Sequence, residues 1–111
     1  MSVQPTPTEH NLARRYADFA TLSEALDYAA DGATGCNFYT GRGKLFAVLP
    51  YAELREQALK IAYQLHGLGL QRGDRVALVA DTHPNFQNFF FACQYAGLVA
   101  VPVPPPLQLG G

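Results

Sequence analysis

Charge is scarce in this 111-residue chain: only 15% of its residues are Asp, Glu, Lys or Arg, where about 25% is usual for a soluble domain. So little charge implies that part of the surface normally lies against something else. The 8 basic and 9 acidic residues leave a net charge of -1, which argues against strong electrostatic attraction to nucleic acid or to an acidic membrane. Cysteine is scarce too. Cys36 and Cys93 form no C-x-x-C pair and have no histidine at ligand spacing. That pattern fits reduced cytoplasmic thiols rather than a disulfide scaffold, and both read as small buried hydrophobes. Long apolar runs are missing as well. The most apolar stretch, Phe89 to Val103, contains Gln94 and Pro102 and falls short of the roughly 18–20 clean residues of a membrane span. Met1 to His10 lacks the apolar centre of a secretory signal. What is present is a 49% apolar composition, enough for a folded chain that forms one small domain or a piece of a larger one.

Residues 1–20 read as a polar, partly disordered leader, with mixed helical character from Asn11 to Ala20. Thr21-Leu22-Ser23-Glu24 is a capping box: the Thr21 hydroxyl can accept the Glu24 amide, and the Glu24 carboxylate can return to the Thr21 amide. Leu22, Ala25, Leu26 and Ala29 then recur at helical spacing, and Gly32 stops them, so a helix is predicted over 22–30. Asn37–Thr40 and Leu45–Leu49 flank Gly41-Arg42-Gly43-Lys44. Two glycines able to take positive φ predict a β-hairpin there. Pro50 is placed to open the next helix, where a missing N–H costs nothing. Tyr51, Leu54, Ala58, Ile61, Leu65 and Leu68 make one apolar stripe along it, ended by Gly67 and Gly69.

After a Gln71–Asp74 turn, Arg75–Ala80 reads as a buried strand. Asp81 or Thr82 is available to cap the helix that follows. In that helix, Asn85–Tyr95, the residues Phe86, Phe89, Phe90 and Cys93 share one face, with Phe91 and Tyr95 on another; such a helix is buried on several sides. Gly97 ends it and Leu98–Val103 returns as a strand. Strand, helix and strand in about 30 residues make a βαβ unit with parallel strands. The last strand runs into Pro104–Pro106, and one parallel βαβ unit is not a complete sheet. The expectation is the amino-terminal part of a larger α/β protein.

Chemistry-bearing motifs are few. Gly43-Lys44 is followed by Leu45, and Phe38 stands where a phosphate loop needs its first glycine. Gly67, Gly69 and Gly73 follow a helix and precede a strand, the reverse of a dinucleotide fingerprint. His10, His66 and His83 belong to no paired motif. His66 lies off the apolar stripe and reads as solvated. His83 stands at the carboxyl end of a strand, where open α/β sheets bind ligands, but a lone loop histidine is more often a turn residue. Cys93 reads as buried and inert, Asp74 as a turn or capping residue, and Arg75 as a strand flank. No catalytic, cofactor-binding or metal-binding residue is assigned.

Three stretches carry a resemblance: Leu49-Pro50-Tyr51-Ala52-Glu53-Leu54, then Gly69 to Leu78 (GLQRGDRVAL), then Phe90 to Pro102 (FFACQYAGLVAVP). Their order and spacing resemble the start of the adenylate-forming superfamily of acyl-CoA synthetases, adenylation domains and luciferases. The Cys93–Gly97 block with Pro102 and Pro104–Pro106, and Phe38-Tyr39 in the hairpin, look most like its fatty acyl-AMP ligase branch. Pro50 departs from the family's usual Thr or Ser and removes a side-chain cap worth about 1 kcal/mol.

The resemblance covers residues 20–106. It implies an incomplete amino-terminal part of an α/β adenylate-forming domain, spanning 21–106, with a hairpin and one parallel βαβ unit; 107–111 would be a truncated end. For the parent protein it implies a cytoplasmic ligase using ATP and Mg²⁺, with a fatty acid and an acyl carrier protein as partners. The acid would be activated as an acyl-adenylate and passed to the carrier thiol. The phosphate loop, adenine and Mg²⁺ motifs and catalytic lysine are expected beyond Gly111. The fragment itself would then be inactive, bind neither cofactor, and pack against the rest of the ligase domain. An acyl-CoA synthetase fragment is the sister reading. A non-catalytic interaction module from a truncated gene is the alternative of another kind, and the retained phenylalanines 86, 89, 90 and 91 count against it.

Overall fold

The computed structural model describes residues 12, 18–80 and 83–105. The expected leader over 1–10, most of 11–20, His10, Asp81, Thr82 and the end at 107–111 lie outside the described residues. The first element is the predicted helix, α1 (Leu22–Ala30). Thr21 is extended and its hydroxyl accepts from the Glu24 amide at 3.1 Å. The Glu24 carboxylate returns to the Ala20 amide at 3.1 Å, one residue upstream of the expected partner. Of the predicted stripe Leu26 is buried, whereas Leu22 is half exposed.

β1 (Gly35–Tyr39) and β2 (Leu45–Pro50) form the antiparallel hairpin. Cys36 faces Leu49 and Phe38 faces Ala47, then the register slips so that Tyr39 faces Leu45. The Thr40 amide donates to the Lys44 carbonyl at 2.8 Å and the Gly43 amide to the Thr40 carbonyl at 2.9 Å. Of the two loop glycines only Gly43 takes a positive φ, 82°. Strand β1 starts earlier than its apolar run because Gly35 can lie directly against Pro50, its register partner.

Helix α2 (Tyr51–Gly67) follows without a linker. Pro50 occupies the capping position rather than the first helical one, and makes no side-chain cap. The helix start is instead tied to the chain before β1: the Tyr51 amide donates to the Thr34 carbonyl at 3.0 Å. Leu54, Ala58 and Ala62 are buried, and Ile61 and Leu65 partly so. Leu68, counted in the predicted stripe, is 79% exposed. It lies beyond the last helical turn, as the C-cap, so helical spacing no longer carries it to the apolar face.

β3 (Arg75–Val79), α3 (Pro84–Ala96) and β4 (Val99–Val103) form the expected unit. The strands are parallel, from Arg75 opposite Val99 to Val79 opposite Val103. The Val99 amide donates to Asp74. Amides alternate along a strand, so the position of Pro102 faces the outer edge of β4, where the missing N–H breaks no ladder bond. Gly97 closes α3 in the left-handed conformation, φ 73°. Each pair of strands is its own two-stranded sheet.

Two cores result. Ala58, Ala62, Leu78, Ala92, Cys93, Ala96 and Leu98 form one, between α2, α3 and the parallel strands. Leu26, Phe38, Leu49 and Leu54 form the other, between α1, the hairpin and α2. Phe91 and Tyr95 pack against both, so α3 is indeed buried on more than one side. Phe86 stacks on Phe90 at 6.0 Å and Phe90 meets Phe91 edge-on at 5.5 Å. Phe89 departs from the expected shared face: it is partly exposed and stands with Asn85, Phe86, Leu78 and Val79 around a shallow notch at the carboxyl end of β3.

Candidate functional site

The residues singled out in the sequence do not converge. His83 is the N-cap of α3: its Nδ1 accepts from the Asn85 amide at 3.0 Å. The cap expected of Asp81 or Thr82 therefore falls to His83, which directly precedes the proline at the first helical position. His66 is exposed, with Nδ1 3.3 Å from the Leu70 carbonyl oxygen. Asp74 closes its turn by accepting the Gln71 amide on Oδ2 at 2.8 Å. Cys93 is fully buried, and burial pushes its thiol above the ordinary value, so it is not a thiolate nucleophile at neutral pH. Burial also pushes the Tyr51 phenol up, helped by the neighbouring Cys36 thiol.

The polar cluster that does assemble was not visible in the sequence. Asp27 of α1, Arg55 of α2 and Tyr95 of α3 meet where the three helices converge. Arg55 Nε donates to Asp27 Oδ1 at 2.8 Å, and the Tyr95 hydroxyl donates to the same oxygen at 2.5 Å. That hydroxyl is also 3.4 Å from the Ser23 carbonyl oxygen. Beside the cluster an open groove of about 390 Å³ is lined by Asp27, Ala30, Asp31, Ala52 and Arg55. Burial alone would push the Asp27 carboxyl up. The hydrogen bonds from Tyr95 and Arg55, with the guanidinium charge, outweigh it and hold the carboxyl below its ordinary value. Burial, then the hydrogen bond to Asp27, pushes the Tyr95 phenol well above its own. The arrangement holds a carboxylate in place and keeps a phenol protonated. It is a clasp between helices, not a nucleophile and base.

A lowered carboxyl stabilises the fold above its unfolded value, near pH 4, and the contribution is lost as pH falls through the folded value. The Asp27 side chain is 46% exposed, so the effect is modest. In thermal melts of the whole protein that carries this segment, from pH 2 to 7, Asp27→Asn is expected to melt below the unsubstituted protein at pH 7, with the gap closing below about pH 4. A gap that stays constant across the range would contradict the clasp. Tyr95→Phe keeps the ring packing and is expected to cost about 1 kcal/mol at pH 7.

Among the described residues, no group of three or more His, Cys, Asp or Glu side chains could hold a metal ion. No helix among them is long and apolar enough to cross a membrane.

A hairpin feeding a long helix, followed by a parallel βαβ unit, makes this a mixed α/β protein. The AMP-binding enzyme family is matched over residues 42–110, and the chain belongs to that family of adenylate-forming ligases. A Caulobacter vibrioides protein provisionally named an acyl-CoA synthetase is 51% identical over 106 residues, 96% of this chain and 18% of its own length. A medium-chain-fatty-acid–[acyl-carrier-protein] ligase of Moorena producens is 34% identical over 92 residues, 80% of this chain and 15% of that one. Among solved structures, one of the fatty acyl-adenylate ligases from E. coli and L. pneumophila matches with a TM-score of 0.82 and 53% identity, over 86% of this chain and 17% of that chain. The chain thus spans less than a fifth of the length of these relatives.

Proposed function

We propose that residues 21–106 form the amino-terminal portion of an ATP-dependent fatty acyl-AMP ligase. The observation that carries this reading is the match to a fatty acyl-adenylate ligase structure at 53% identity and a TM-score of 0.82. In the reaction, a fatty-acid carboxylate oxygen attacks the α-phosphorus of ATP and pyrophosphate leaves. The phosphopantetheine thiol of a carrier protein then attacks the acyl-adenylate carbonyl, and AMP leaves. The likeness to a carrier-protein ligase supports that acceptor. Mg²⁺ would offset phosphate charge in the parent, but the described residues offer no cluster that fits it, so no step is routed through this segment.

The role of the segment is support. Val79, Val99 and Val101 are 52%, 47% and 39% exposed along the outer side of the parallel pair, and parallel sheets are normally covered on both faces. Asn88 buries its Oδ1 with no hydrogen-bond partner among the described residues, a costly state for an acceptor. Both features support packing against further polypeptide of the same ligase.

The test is fatty-acid-dependent ATP–pyrophosphate exchange by the whole protein that carries this segment, followed by acyl transfer. Exchange is expected, with transfer to a holo carrier protein and not to CoA. Absence of exchange with any fatty acid would overturn the reading. The second reading, an acyl-CoA synthetase, is favoured by the 51% identical relative, and transfer to CoA alone would select it. The 111-residue chain by itself is expected to give no exchange and no sharp cooperative melt.

A further inference from the structure

We draw no further inference here: the strongest candidate, the outward apolar face of the β3–β4 pair at Val79, Val99 and Val101, belongs to the supporting role already proposed, and nothing in the structure shows which segment covers it.

Discussion

Replacing Gly35 with alanine is expected to destabilise the protein by about 3 kcal/mol, at the upper end of overpacking costs. A Cβ built there would lie 2.4 Å from the Leu49 carbonyl oxygen and 2.6 Å from Pro50 Cα. Both obstacles are backbone, so no side-chain rotation relieves the clash. They also sit at the junction of β2 and α2, where the Tyr51 amide depends on the Thr34 carbonyl. Pushing the strands apart would therefore loosen the start of the longest helix as well as the end of the hairpin. Gly41→Ala is the control: nothing lies within 4 Å of its Cβ position and its φ is not positive. Denaturant melts of the two variants in the whole protein should separate by nearly the full effect. Equal stability would mean that the close approach at Gly35 is absent in solution.

Leu54→Ala is expected to cost about 3 kcal/mol, the usual range for removing a buried leucine side chain being roughly 2–5 kcal/mol. Leu54 is fully buried, at the centre of the cluster with Leu26, Phe38 and Leu49. Its removal leaves a void where α1, the hairpin and α2 meet. Leu59 lies on the same helix but is 38% exposed, and Leu59→Ala is expected to cost well under half as much. A denaturant midpoint for Leu54→Ala close to that of Leu59→Ala would contradict the second core.

These two sites differ in how they could be read from the sequence. Leu54 lies on a stripe with Ala58, Ile61 and Leu65, and its burial follows from helical spacing. Gly35 gives no such signal. Its requirement comes from Pro50, its cross-strand partner, and the distance between them exists only once the hairpin has closed. The candidate site was likewise invisible. Asp27 and Tyr95 are separated by 68 positions, and no local pattern links residues so far apart. His83 was half legible: its place at the end of a strand was plain, but its use as a cap was not.

The sequence by itself determined the local elements and the family. The Thr21–Glu24 box, the stripe of α2 and the strand–helix–strand order each depend on contacts a few residues apart or on one repeating period, and such patterns survive without a partner. Only the tertiary structure decided that the strands form two separate sheets, and that Phe91 and Tyr95 join two cores. It also decided that Leu22 and Leu68 stay exposed and that Asp27 accepts from both Arg55 and Tyr95. These outcomes depend on where each helix ends and how it is rotated against its neighbours. Periodicity specifies which face of a helix is apolar, but not which distant residue that face will meet.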